Sequence, residues 1–483
     1  LNSTLNEYQH WMAEQENAVD DLEPETNGRA NPNRLKITTL EDIATTELEV
    51  AETVFQSDGE DFRFVRGMGW FTWKGTHWAP DESAELERRI IKMLRAMQIA
   101  AVNLGDTKGA EKARCTAKSF ERAGRIKDVM DCLQMLKGIK ITPADLDADP
   151  MLFNCTNGTV DLHTGELKPH RRANLITRVA RGAYDTTVRA KHFCKFLEGV
   201  FPSPDIRAFA QRALGSALAG DTREHVLHVW HGNGANGKST LANALLHALG
   251  EYGMTAAPKL LMVRRHSEHP TELADLRGRR FVVASESGEG ARLDEEKIKM
   301  LTGGDVVKAR HMRENYFQFT PPHTICLHTN HKPNIRGQDH AIWRRVCLWP
   351  FTACFTDPVL DMSDRLREDA TPIVAWLVQG CIEARKRGLN PPAEVQAATS
   401  EYRQESDIVG RFVQERCVTG TDTMHVASTD LFTAFKSWME DGNERGSWNQ
   451  VGFANALKER GFVNRPHGPA RRMNWFGLGL AEG

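Results

Sequence analysis

The chain has 483 residues, 40% of them hydrophobic and 26% charged, with a formal net charge of −2. That length exceeds what one core usually absorbs and points to roughly two to four domains. No run of about 18 apolar residues is present to span a bilayer, and a near-zero net charge excludes a globally basic nucleic-acid binder, so any such contact has to be local.

Nine cysteines occur without a C-x-x-C pair, which argues against a zinc knuckle or a disulfide framework and fits reduced thiols in a cytoplasm. The chain opens on Leu1 with no signal-peptide pattern, so a cytoplasmic piece of a longer protein is expected. Residues 1–55 read as an acidic tail and linker: Glu7, Glu14, Glu16, Asp20, Asp21, Glu23 and Glu25 all precede the first basic residue, Arg29. From Phe62, short aromatic strands around glycines give way to helical periodicity over 83–101 and again over 111–136. "NCTNGTVDLHTGEL" (154–167) places Asn157-Gly158 and Thr164-Gly165 turns on either side of "TVDL", as a hairpin requires.

The stretch 232–239 satisfies every fixed position of G-x-x-x-x-G-K-[ST]. The β-rich "HVLHVW" precedes it, and "STLANALLHALG" follows with Leu241, Leu245, Leu246 and Leu249 on one helical face, so strand, loop and helix come in the required order. Such a P-loop binds ATP. Backbone N–H groups of Gly232, Asn233, Gly234, Ala235, Asn236 and Gly237 converge on phosphate, Lys238 reaches the β- and γ-phosphates, and the hydroxyl of Ser239, beside Thr240, takes Mg²⁺.

Hydrolysis needs a carboxylate to orient water, and "RRFVVASESGEG" (279–290) supplies Glu286 just past an apolar strand, with Glu289 in the loop beyond. Glu286 is also the expected partner of Mg²⁺. A third strand, "HTICLHTN" (323–330), ends on Asn330, whose amide suits the attacking water and the γ-phosphate; a turn asparagine is the plainer reading. Arg344 and Arg345 precede a further apolar strand and suit an arginine finger offered to a neighbouring subunit, or else a surface ion pair. Between the acid and asparagine strands, Val306–Met312 and Tyr316–Phe319 read as a hairpin with a positive edge of Lys308, Arg310, His311 and Arg313, fit for DNA phosphates or for solvent alone. His225, His228 and His231, three apart in a strand, alternate between faces and cannot converge on one metal.

These parts, in this order, resemble the superfamily 3 helicases, AAA+ motors of small viruses and plasmids, and most closely the helicase module of phage, satellite-phage and poxvirus primase-helicases. "GNGANGKST", "LRGRRFVVASESGEG", "LHTNHKPNIRGQDHAIWRRVCLWPF" and "NGTVDLHTGEL" carry the resemblance, which spans roughly 60–415. It implies an α/β fold with an AAA+ core at 206–360, preceded by an α+β primase-helicase-associated domain at 56–205 and followed by a helical connector at 361–405. It implies a hexameric ring that hydrolyses ATP between subunits and moves 3′ to 5′ on single-stranded and forked DNA, with a primase or polymerase part outside this chain. Many members carry two adjacent acids where this chain has Ser285-Glu286, which bears on how Mg²⁺ is held. Residues 406–483 read as three helices and a hairpin, a winged-helix pattern, with Lys458, Arg460, Arg465, Arg471 and Arg472 against Glu459 and Glu482 from 451 onward. Duplex or origin DNA is the expected partner there, ring packing the alternative. An ATP-dependent origin-binding scaffold that recruits replication proteins without unwinding is the other function these motifs allow.

Overall fold

The computed structural model describes residues 39–105, 107–257, 260–263, 271–285, 290–310, 316–337, 340–356, 359–421, 423–442 and 448–481. The chain divides into two compact units, one made of residues up to Phe64 with Asp81–Ile141, the other of Val65–Pro80 with Thr142–Gly483. No helix among the described residues is long and apolar enough to cross a membrane.

The first unit is helical. Glu47–Asp58 starts on a capping box, in which Thr46 accepts from Glu49 N (3.2 Å) and the Glu49 carboxylate accepts from Thr46 N (3.3 Å). Glu85–Asn103 buries Leu86, Ile90, Leu94, Met97 and Ala101, spaced three and four apart on one face. The periodicity expected over 111–136 resolves into two helices, Lys108–Ser119 and Ala123–Leu133. A single helix would not serve, because nine residues at about 100° each separate buried Phe120 from buried Val129 and would put them on opposite faces. A turn at 120–122 restores one buried side.

The second unit is built around five parallel strands: β1 (Leu227–His231), β2 (Gly253–Thr255), β3 (Phe281–Ser285), β4 (Thr324–Thr329) and β5 (Val346–Pro350), in the spatial order β5-β1-β4-β3-β2. Parallel sheets are covered on both faces, which is why these runs are apolar almost throughout. Alternation along β1 sends Leu227 and Val229 to a cluster with Val282, Ala284, Ile325 and Leu327 on one face. On the other face, Trp230 joins Trp349, Phe209, Phe201 and Phe351 in an aromatic stack, with ring centroids 4.8–6.0 Å apart. Helices α1 (Pro204–Ser216), α2 (Lys238–Leu249) and α3 (Ala370–Arg387) cover that second face.

Ahead of the sheet, Leu152–Cys155, Gly158–Asp161 and Glu166–Lys168 form an antiparallel meander, with the hairpin where the two Gly turns predict it. After it, Ile408–Arg416, Ser428–Asp441 and Gln450–Glu459 pack around Phe412, Phe435, Trp438, Phe453 and Trp475, and an antiparallel hairpin follows, Val463–His467 with Arg472–Phe476.

Candidate functional site

In a parallel sheet all strands end at one edge, and ligands bind in the crevice outside those carboxyl ends. β1 delivers the glycine-rich loop there. Gly232 N donates to Thr329 O (3.4 Å), and the loop is tied back by Phe351 N to His231 O and Phe355 N to Ala235 O, each 2.8 Å. A Cβ on Gly232 would run into the Asn236 side chain and the Phe351 carbonyl, so that position has room for glycine alone. Gly234, Ala235 and Gly237 take φ of 103°, 47° and 81°. A turn with left-handed residues on both sides of Asn236 brings successive N–H groups toward one concavity, a backbone nest for an anion. Beyond Gly234 nothing lies within 4 Å of where a Cβ would be, so the concavity is open at that point. Helix α2 starts at Lys238, and its first-turn N–H groups and dipole add to the anion preference.

Lys238 is 5% exposed, and its ammonium donates to Gly232 O (2.6 Å), Asn236 Oδ1 (3.0 Å) and Asn330 Oδ1 (3.0 Å). Burial lowers its pKa. The last of these bonds joins the glycine loop to the tip of β4, so Lys238 and Asn330, 92 residues apart, meet at one point. Asn236, a free position in the sequence motif, is buried at 3% and also donates to Phe351 O (3.4 Å), making it the spacer between loop and lysine. Asn233, Ala235 and Ser239 are exposed and Thr240 is half-buried, so the Ser239 hydroxyl is available beside the loop. His231, at the end of β1, has its pKa lowered, first by burial and then by Lys332 and Lys238.

β3 lies one strand beyond β4, with Ser285 aligned to His328 and His328 to Trp230. Two strand spacings put Ser285 roughly 10 Å from β1. Glu286 and Glu289 follow directly and lie outside the described residues.

Arg344 and Arg345 lie at the opposite edge, just before β5 begins, where Arg345 O accepts from Leu227 N (2.7 Å). A five-residue strand is about 16 Å long, so neither arginine reaches the loop of its own chain. The two differ in environment. Arg345 is 8% exposed and donates to Ala341 O (2.7 Å), whereas Arg344 is exposed.

The hairpin pairs Val307–Ala309 with Phe317–Phe319. Lys308 and Arg310 are exposed, and their charged ends lie 4.7 and 4.8 Å from the Tyr316 ring centroid. Tyr316, itself 51% exposed, was missed in the sequence, where it reads only as the first residue of a strand. His311 and Arg313 lie outside the described residues. In the carboxy-terminal region Lys458, Arg465, Arg471 and Arg472 are exposed, and Arg465 lies over the Phe476 ring at 4.0 Å. Arg460 turns inward instead, pairing with Asp407 and donating to Ala456 O (2.6 Å), so its charge is spent within the fold.

Comparison with known proteins gives two family matches: residues 50–202 match "D5 N terminal like", and residues 230–345 match a family of unknown function (DUF5906). The chain is similar to "Putative helicase L207/L206" of Acanthamoeba polyphaga mimivirus, 26% identical over 61% of this chain and 33% of that protein. It is also similar to "Putative helicase 022R" of Frog virus 3, 26% identical over 52% of this chain and 28% of that one. A third relative is "Putative primase C962R" of African swine fever virus, 22% identical over 61% of this chain and 34% of that one. The chain thus spans about a third of the length of these curated relatives. Among solved structures it is similar to the A-form apo structure of the NrS-1 C-terminal region, at TM-score 0.47 and 8% identity, over 90% of this chain and 100% of that one.

Proposed function

We propose that this chain is the ATP-driven helicase module of a viral or mobile-element primase-helicase, working as a hexameric ring on single-stranded and forked DNA. The observation that carries the proposal is the buried Lys238 ammonium, held by Gly232 O, Asn236 and Asn330 where the glycine loop and the β4 tip meet. It is a cation stored among neutral acceptors, next to a nest of N–H groups and a helix N-terminus, and a polyphosphate satisfies all three. The named relatives, helicases and primases of large DNA viruses, support the same reading.

In this scheme the loop 232–237 is a P-loop, Lys238 exchanges part of its protein contacts for the β- and γ-phosphates, and Asn330 orients water against the γ-phosphate. Glu286 serves as base. Mg²⁺, held by Ser239 with Glu286, neutralises the developing phosphate charge when bound. Arg344 is the finger, since it alone of its pair is exposed and both stand at the sheet edge away from their own loop. That placement supports a site shared between subunits of an AAA+ ring. Lys308, Arg310, His311 and Arg313 hold the DNA strand, with Tyr316 offering its ring to a base. The exposed Lys458, Arg465, Arg471 and Arg472 of a winged-helix domain contact duplex DNA. The deciding experiment is ATP hydrolysis with and without single-stranded DNA, together with strand displacement on a fork, for the native chain and for Lys238→Ala. DNA-stimulated hydrolysis and unwinding that both vanish in the variant are the expected result. Hydrolysis without any displacement, on a fork of either polarity, overturns the motor.

A further inference from the structure

Ahead of β3, the sequence Arg277-Gly278-Arg279-Arg280 makes a tight turn: Arg277 N donates to Ala274 O (3.2 Å) and Arg279 N to Leu276 O (3.1 Å). Gly278 takes φ of 71° there, which favours glycine. A third arginine from a distant segment lies across the turn, since a Cβ on Gly278 would sit 3.3 Å from Arg178 Nε. Arg280 is a structural member: it is buried, donates to the carbonyls of Leu218 and Leu152, and lies over the Tyr252 ring. The other three are differently placed. Arg277 donates to Pro143 O (2.9 Å) and to the weak acceptor Met68 Sδ, and Arg279 to Glu251 O (2.5 Å).

Arg178 makes no side-chain hydrogen bond or ion pair among the described residues, and the Nε atoms of Arg178 and Arg279 are buried without an acceptor. The nearby carboxylates are engaged elsewhere. Asp147 accepts from Thr177 N (2.8 Å) and Thr177 Oγ1 (2.5 Å), while Glu251 accepts from Val179 N (2.9 Å) and lies 3.6 Å from His77. Burial lowers the pKa values of Arg277 and Arg279 first; Asp147 acts against this on Arg277, Glu251 and Asp275 act against it on Arg279, and the charge of Arg178 lowers both.

A half-buried guanidinium without a partner among the described residues, next to two others, is costly, and such donors normally find an acceptor. Planar forks of N–H groups match the oxygens of phosphate and carboxylate bidentately, and a group of three such cations suits the more highly charged phosphate. The position suggests whose phosphate it is: the Arg277 guanidinium lies 5.3 Å from the ring centroid of Phe317, which pairs with Ala309 between Lys308 and Arg310 in the hairpin. We propose that Arg178, Arg277 and Arg279 form a second phosphate-binding site, which takes a backbone phosphate of the strand held by that hairpin. This rests on the DNA-motor reading above.

The test uses Arg178→Ala, because Arg178 has no partner among the described residues to leave unpaired, and Arg178→Lys, which keeps the charge and loses the fork. Binding of an oligothymidylate is measured across a salt series. Arg178→Ala is expected to weaken binding and to flatten the log–log salt slope by roughly 0.7, the loss of one phosphate contact, with Arg178→Lys in between. In a second measurement, melting with added inorganic phosphate is followed in a Lys238→Ala background, which removes the glycine loop as a competing sink. Phosphate should raise the melting temperature when Arg178 is present and not when it is Ala, and without phosphate Arg178→Ala should melt no lower than its parent. An unchanged salt slope in Arg178→Ala, from a native chain that does bind the strand, together with no phosphate response through Arg178, overturns the site. A lower melting point with equal phosphate response makes Arg178 a structural residue and overturns it as well. Phosphate stabilisation through Arg178 with an unchanged slope assigns the site to a free phosphate or nucleotide and overturns the strand assignment. If the native chain binds no oligothymidylate at all, the motor reading itself fails, and the phosphate titration shows that separately.

Discussion

Replacing Lys238 by Ala separates the two jobs of this side chain, and the structure sets the size of each. In the fold, the ammonium satisfies Gly232 O, Asn236 Oδ1 and Asn330 Oδ1. Asn330 is exposed and can turn to water, so only the first two acceptors are left unpaired in the variant. An unsatisfied buried acceptor costs about 1–3 kcal/mol. Against this, the variant no longer buries a charge, the same burial that lowers the lysine's pKa. The net loss of stability should therefore fall near the low end, about 1–2 kcal/mol, or a few degrees in melting temperature for a domain of this size. The loss in ATP binding should be larger. Truncating one partner of a desolvated, hydrogen-bonded charge pair costs about 2–5 kcal/mol, which is about 30-fold to a few thousandfold in Kd. Titration calorimetry with a slowly hydrolysed ATP analogue, beside a melting curve, measures both. A variant that melts within a few degrees of the native chain and binds the analogue within threefold of it would refute the phosphate role of Lys238 and, with it, the reading of the loop.

Glu286→Gln should leave analogue binding near the native value while abolishing steady-state hydrolysis; near-native turnover would hand the role to Glu289 or another acid. Arg344→Ala should lose hydrolysis without a change in melting temperature, whereas Arg345→Ala, at a buried position that donates to Ala341 O, should lose stability first. Mixing Arg344→Ala chains with Lys238→Ala chains should restore part of the activity, and no recovery in rings shown to be mixed counts against a shared site. The Lys308→Ala, Arg313→Ala pair should reduce unwinding and DNA-stimulated hydrolysis and spare basal hydrolysis, while deletion of 406–483 should weaken loading on duplex DNA and spare movement on a preloaded strand; the reverse pattern moves the motor contact to the carboxy-terminal region. Burial takes the pKa of His228 and of His323 down to about 4. An unfolded imidazole titrates near 6.5, so between about pH 6.5 and 4 the unfolded chain binds protons that the folded chain refuses, and stability falls as pH falls, by up to about 1.4 kcal/mol per pH unit for each histidine. Neither ring nitrogen of His323 has a hydrogen-bond partner among the described residues, so His323→Phe leaves no described group unpaired and should flatten the melting-temperature profile over that window.

What the sequence discloses here is what depends on neighbours along the chain. The apolar runs of β1, β3, β4 and β5, the helix after the glycine loop and the polar residue that closes β1, β3 and β4 all follow from periodicity and turn chemistry. Strand order does not, because runs buried on both faces carry no mark of their neighbours. That β4 lies between β1 and β3 is a tertiary outcome, and the Lys238–Asn330 contact depends on it. The same limit explains the arginines. Arg344 and Arg345 are identical in type and adjacent, yet one is exposed and the other is folded back on the Ala341 carbonyl, a difference set by how His340–Trp343 packs. Arg460 looked like part of a basic surface until Asp407, 53 residues earlier, took its charge. Arg178 is the opposite case, an ordinary arginine in a connecting segment that becomes conspicuous only when folding lays it over Gly278 between Arg277 and Arg279 without giving it an acceptor. Residues whose chemistry is local announce themselves, whereas a charge acquires meaning from what the fold places beside it, and a cation left without an acceptor among the described residues is where a ligand is next to be sought.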